Sequence, residues 1–448
     1  MDVQTQHSVQ HSLDLYAHAL DIIPGATQLI SRRPDRYVAG VTPAYASHGK
    51  GAHFWDIDGN EYIDLVMSVG ACLLGYADDE VNDAVIRQIQ QGTVFSVNHP
   101  IEVELAEELI QTIPCAEMVR YARGGGEADA VAIRIARGYT GRQKVLFCGY
   151  HGWHDWYLAA NLSSPNALNT HLLPGIEPQG VPAGLTDTII PFEYNNLASL
   201  EAALEGQRGQ VACIIMEAAR GAALPQPGYL EGVRRLADQH GVVLIFDEVV
   251  TGFRLALGGA QEYFGVTPDI STYAKAISNG YAMGAVVGRR EVMSVASDMF
   301  ISSTYWSETV GIAAALATIR AMKRRNTPAN LAQRGARFQG DFNRLAQRHG
   351  LPAQCVGLPA LLSLKFSPPD PAQNKPLFTL FLQEMTHRGV FAGGGINVCE
   401  ALTESDLDHV AAALDAVFPI LVDALNHGDI QARLEGKVST DAFRRLVG

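Results

Sequence analysis

The chain is expected to be α/β, with a large domain on a mostly parallel sheet and a small α+β domain formed by its N- and C-terminal segments. Three observations carry this. Short apolar runs at 145–147, 212–216, 242–246 and 285–287 read as strands buried on both faces. They follow and alternate with helical periodicity over 80–90, 101–111 and 127–137, the pattern of β–α–β crossovers. At 448 residues the length fits about three compact pieces, or one large domain with smaller flanks.

In chain order, an amphipathic helix over about 10–22 ends at Ile23-Pro24-Gly25, and the basic stretch Arg32-Arg33-Pro34-Asp35-Arg36 follows. Runs at 52–56 and 62–65 flank Asp58-Gly59, a dipeptide suited to the positive φ of a hairpin turn. The first 75 residues therefore read as a cap. The large domain spans 76–325, with a glycine-rich turn before the 127–137 helix and a long helix over 308–324. After the break at Asn326-Thr327-Pro328, a small α+β domain fills 326–448.

Composition narrows the function. Hydrophobic residues at 47% against 18% charged residues describe a globular enzyme and not a disordered chain. A net charge of −13 argues against a nucleic-acid surface, which needs clustered Lys and Arg. The six cysteines lie far apart with no Cys-x-x-Cys pair, as expected of reduced core thiols. The polar N-terminus lacks an apolar signal region, and no run reaches the roughly 18 apolar residues of a membrane helix. A soluble, cytoplasmic protein acting on a small molecule is expected.

Leu244-Ile245-Phe246-Asp247-Glu248 ends an apolar strand in two carboxylates, where open α/β sheets bind ligands. An isolated pair of this kind also serves to cap a loop or to meet an arginine such as Arg254. Lys275 lies among small and apolar residues, Thr272-Tyr273-Ala274-Lys275-Ala276-Ile277. Lost solvation would lower its pKa and make the amine nucleophilic towards an aldehyde, unless the side chain snorkels to the surface. At Arg123-Gly124-Gly125-Gly126-Glu127 three glycines open a helix, either as a plain turn or as a cradle for phosphate. Tyr150-His151-Gly152-Trp153-His154 follows a strand end. Its rings suit stacking on a flat heterocycle, and no third ligand is evident for a metal at His151 and His154.

Together these pieces resemble the class III (ω-type) aminotransferases, in the branch around glutamate-1-semialdehyde aminomutase. The likeness runs through Trp55-Asp56-Ile57-Asp58-Gly59-Asn60, Ala136-Arg137-Gly138-Tyr139-Thr140-Gly141-Arg142, Phe246-Asp247-Glu248-Val249-Val250-Thr251-Gly252 and Thr267-Pro268-Asp269-Ile270. It implies fold type I and pyridoxal 5'-phosphate, with Lys275 as the Schiff-base lysine that later shuttles the proton. Asp247 would keep the pyridine nitrogen protonated so that the ring accepts electrons. By the same resemblance Gly125 and Gly126 bind the phosphate, Tyr150 stacks on the ring, and His151 and Val249 line it. Glu217 stands beside the site, and Thr304 reaches the phosphate of a neighbouring subunit, which makes the active form a homodimer. Ser68 and Arg32 fall at substrate positions, with Arg33 and Arg36 as rivals to Arg32.

Three departures bear on the reaction. Gly124-Gly125-Gly126-Glu127 stands where the family has Ser-Gly-Thr-Glu, Ala218 to Gly221 replaces Pro-Val-x-Gly-Asn, and Tyr305 to Glu308 replaces Gly-Asn-Pro. The second and third favour an aminotransferase, moving nitrogen from an amino donor to a keto or aldehyde acceptor, over an aminomutase working within one molecule. Arg220 offers either a bidentate site for a substrate carboxylate or a structural salt bridge.

Overall fold

The computed structural model describes residues 8–221 and 223–440. Two compact units emerge, one made of 1–78 with 329–448 and the other of 79–328. The sequence-based boundaries lie at 75 and 325.

In the first unit the helix Gln10–Ile22 is tied down by Ser12, whose hydroxyl accepts from Ala44 N (2.9 Å) and Tyr45 N (3.0 Å). β1 (Ala46–Lys50), β2 (His53–Asp56) and β3 (Glu61–Asp64) form an antiparallel meander. The expected hairpin joins β2 to β3. Asp56 Oδ1 holds its turn by accepting from Asp58 N (3.0 Å) and Asn60 N (2.8 Å).

The second unit is built on one seven-stranded sheet. Its strands are β4 (Met118–Ala122), β5 (Lys144–Cys148), β6 (Ile189–Pro191), β7 (Val211–Met216), β8 (Val243–Asp247), β9 (Ile270–Tyr273) and β10 (Gly284–Gly288), in the order β4-β10-β9-β8-β7-β5-β6. β10 is antiparallel to both neighbours and the other pairs are parallel. Every residue of β7 and β8 is buried, as expected for strands with both faces covered.

Three strands escape sequence reading, each for a physical reason. β4 carries Arg120 in its middle, and β6 has three residues. β9 contains Ser271 and Thr272, polar on paper but buried and bonded: Gln261 Nε2 donates to Ser271 Oγ (3.0 Å) and Thr272 Oγ1 donates to Asp129 (2.7 Å).

The helix after the glycines is Gly125–Thr140, starting earlier than expected because the glycines themselves form its first turn. The long helix is Thr309–Arg325. Glu308 is its cap, its carboxylate accepting from Val310 N (2.8 Å) and Gly311 N (3.2 Å). The break is the single residue Asn326 at φ 54°, after which Thr327–His349 starts with Pro328 in its first turn.

Back in the first unit, β11 (Ala353–Leu358), β12 (Leu361–Phe366) and β14 (Gly395–Ile396) form an antiparallel sheet. β13 (Val390–Phe391) pairs in parallel with β3, so the two chain ends share a sheet. Phe342 anchors the core there, with ring centroids 5.1 Å from Phe418 and 6.4 Å from Phe381. All six cysteines are buried and free. Among the described residues no helix is long and apolar enough to cross a membrane.

Candidate active site

β5, β7, β8 and β9 lie side by side and run the same way, so four carboxyl ends meet at one edge. Tyr150 and His151 follow β5, Glu217 follows β7, Asp247 ends β8, and Lys275 comes two residues after β9. This strand order gathers groups more than a hundred residues apart. Lys275, Asp247, Glu217, Tyr150, Val249 and the two loop glycines line one cavity of about 250 Å³.

Lys275 holds a left-handed backbone, φ 49°, a conformation that costs a non-glycine residue energy and aims its side chain. Burial pushes its amine below the usual lysine value, against the upward pull of the Asp247 and Glu217 charges. A snorkelling surface role is excluded.

Asp247 is 5% exposed. His151 Nδ1 lies 2.8 Å from its Oδ2, and Val249 N donates to its Oδ1 at 3.0 Å. Glu248, its neighbour, does something different. Its carboxylate accepts from the Thr251 hydroxyl and from Ala260 N (2.8 Å) and Gln261 N (2.9 Å), binding the 258–261 turn. Burial pushes Glu248 up to about 7.

The glycine loop is shaped by its surroundings. A Cβ on Gly125 would lie 2.8 Å from a Val249 methyl, and one on Gly126 would lie 3.2 Å from both Gly152 Cα and His154 Nδ1. Space for a side chain is therefore short at 125 and 126, whereas 124, where the family has its serine, is open. Glu127 turns back to accept from Arg123 N (2.7 Å), which leaves the Gly125 and Gly126 N–H groups unpaired among the described residues. His154 Nδ1 is also buried without a partner among them. Unpaired donors at a helix start, a buried amine and a buried carboxylate in one cavity fit pyridoxal phosphate at its phosphate, aldehyde and ring nitrogen.

Arg220 donates to Thr170 O (3.1 Å) and His171 O (3.4 Å) and lies 3.6 Å from Glu217, so its guanidinium is engaged by the protein. Glu217 accepts from Tyr150 N (3.0 Å) and burial raises its pKa. Thr304 is exposed, in the turn Thr304–Ser307. Tyr150 keeps 44% of its surface open. In the first unit Arg32 Nη2 donates to Ser68 Oγ (3.2 Å), and both line a separate cavity of about 550 Å³.

Two residues went unnoticed in the sequence. Arg123 donates to Tyr305 O, Ala282 O (3.2 Å) and Glu308 O (2.6 Å), fastening the 305–308 departure beside the glycine loop. Asp129 is buried in the cavity wall, and its oxygen, that of Asp247 and a His151 nitrogen lie within 4.8 Å of one another. The third group missing from the sequence search near His151 is thus present, although His151 Nδ1 already bonds Asp247. A lone acid in the apolar run Ala128 to Ala132 was the available signal.

Residues 37–421 match the model of the family described as aminotransferase class-III. The 3-aminobutyryl-CoA aminotransferase of Cloacimonas acidaminovorans is 38% identical over 412 residues, 90% of this chain and 95% of that protein. A glutamate-1-semialdehyde 2,1-aminomutase of Syntrophobacter fumaroxidans is 37% identical, covering 84% of this chain and 89% of the relative. The crystal structure of an omega-transaminase from Sphaerobacter thermophilus superimposes with a TM-score of 0.81 at 28% identity, over 92% of this chain and 98% of that one. With family match, fold and cavity in agreement, the chain belongs to the class-III aminotransferases, fold type I enzymes that work with pyridoxal 5'-phosphate.

Proposed function

We propose that this aminotransferase carries its reaction on Lys275 and Asp247, and that it moves nitrogen between separate donor and acceptor molecules. The observation that carries the reading is the shared cavity of a buried, pKa-lowered amine and a carboxylate already fixed by two donors. When bound, pyridoxal phosphate supplies the aldehyde that carries the amino group and the ring that takes up electrons. The protein does the rest. Lys275 Nζ, neutral at lower pH than an ordinary lysine, takes a proton from the substrate carbon and returns it. Asp247 holds a proton on the ring nitrogen, and His151 and Val249 N hold Asp247. The Gly125 and Gly126 N–H groups would bind the phosphate and Tyr150 would cover the ring, while Glu217 fixes the Tyr150 backbone.

The first-named relative acts as an aminotransferase and others as aminomutases. Arg123's anchoring of the 305–308 segment and the engaged Arg220 support the two-substrate reading, since both departures from the aminomutase pattern are built into the protein. The test is a panel of amino donors added without acceptor to the holoprotein, with release of keto product as the readout. Failure of every donor to release product while the cofactor stays bound favours the aminomutase reaction.

Arg32, with Ser68, is proposed to hold the substrate carboxylate. Arg32→Ala is expected to raise KM for carboxylate-bearing donors about tenfold or more at little cost in kcat, and to leave donors without a carboxylate unchanged. Equal effects on both donor classes argue against the assignment.

The active form is proposed to be a homodimer with Thr304 at the partner's phosphate. Ile86 (52%), Ile89 (53%), Val97 (78%), Val103 (61%) and Phe300 (85%) are exposed on the second unit, apolar side chains that a partner subunit would cover. Sedimentation is expected to give a dimer for the wild type, and Val97→Asp to shift it towards monomer. A monomeric wild type removes the proposal.

A further inference from the structure

Asp129 has no part in the chemistry derived so far, yet it stands in the middle of it. It lies in the first turns of Gly125–Thr140, 1% exposed, in the wall of the cavity that holds Lys275 and Asp247. Thr272, the cross-strand partner of Asp247, donates its hydroxyl to Asp129 Oδ1 at 2.7 Å. That contact occupies one oxygen and fixes the carboxyl group. Oxygens of Asp129 and Asp247 lie within 4.8 Å of each other and of a His151 nitrogen. Two ionised carboxylates at that range in a buried site repel by several times the thermal energy, so a proton on one of them is the stable arrangement.

We propose that Asp129 is a positioning residue for the ring-nitrogen carboxylate: a neutral acid that donates a hydrogen bond to Asp247. With His151 and Val249 N it divides the charge of Asp247 among three protein donors. The proposal rests on the reading of Asp247 as partner of the ring nitrogen. Burial, then the charge of Asp247, holds the Asp129 carboxyl well above the usual carboxylate range. Glu217 acts in the same direction and Thr272 against it. The other titratable groups lining the cavity are Arg123, Tyr150, Lys275 and Tyr281.

A consequence follows from the sign of that shift. Below its raised pKa, Asp129 is neutral and competes with the ring nitrogen for Asp247. As pH rises through that pKa the donor is lost and a second negative charge appears, and both changes strengthen the hold on a protonated ring nitrogen. The ring nitrogen of this enzyme is therefore held protonated to a higher pH than it would be beside an Asp129 that stayed neutral.

The test uses holoenzyme carrying pyridoxal phosphate isotope-labelled at the ring nitrogen, whose NMR shift is followed from acid to alkaline pH. The wild-type signal is expected to leave the protonated limit at a higher pH than that of a variant whose residue 129 cannot ionise. Asp129→Asn keeps an acceptor for Thr272 and a donor for Asp247 but cannot ionise. It should bind the cofactor within about threefold of wild type, since both hydrogen bonds survive, and lose the protonated signal at a lower pH than wild type. Asp129→Leu, lacking the donor, should keep the protonated signal to a higher pH than the Asn variant. An Asn variant that loses the protonated signal at the wild-type pH or above it overturns the proposal, as does a Leu variant that loses it where the Asn variant does. If the Leu variant does not fold, the Asn comparison decides alone. A wild type that does not take up the cofactor through Lys275 instead sinks the proposed function.

Discussion

Lys275→Ala is expected to lose transamination by about 10⁴-fold or more, the upper range for a positioned proton-transfer group, while the folded protein still takes up pyridoxal phosphate without a covalent link. Three features place so large an effect on one side chain. Its amine is the lysine that lines the cavity, its backbone at φ 49° aims it there, and burial lowers its pKa so that a neutral amine is present at lower pH. Removal leaves the Gly125 and Gly126 N–H groups and the Asp247 carboxylate untouched, so cofactor uptake separates lost chemistry from lost folding. The measurement is the visible band of the covalently held cofactor beside single-turnover keto release. A variant that retains both the band and turnover within tenfold of wild type would show that another amine does this work.

Asp247→Asn is expected to reduce kcat/KM by between two and four orders of magnitude. Breaking one partner of a buried charge pair costs about 3–5 kcal/mol, and each 1.36 kcal/mol is about tenfold in rate. The asparagine keeps the volume and can still bond His151, so the cost isolates the missing charge at the ring nitrogen. Steady-state kinetics at saturating cofactor is the check. A loss smaller than tenfold means that the ring nitrogen is held by some other group or is not protonated at all.

Much of the site was legible because its chemistry is written in residue type and local context. Asp247 ends a run of apolar residues, Lys275 sits among small and apolar ones, and three glycines precede a helix; the structure places all of them in one cavity. β7 and β8 were legible for the same reason, since a strand buried on both faces has little choice but to be apolar. β9 was not, because its Ser271 and Thr272 are polar residues whose burial is tolerable only with the Gln261 and Asp129 partners that the fold supplies. Arg220 shows the opposite failure. A guanidinium reads as a ligand for a carboxylate, whereas here its donors meet Thr170 O and His171 O and it lies beside Glu217, groups whose approach no local pattern announces.

By itself, then, the sequence determined the strands and helices with a strong apolar period, the candidate carboxylate and amine, and the family. The tertiary structure alone decided which charges meet. It put Asp129 within 4.8 Å of Asp247, seated His154 where a side chain at Gly126 would stand, and tied the 305–308 segment to Arg123. The reason is physical: secondary structure follows from local periodicity and solvation, but the proton and charge inventory of a buried site depends on distances between residues far apart in sequence. Those distances exist only after the parallel strands have brought their ends together.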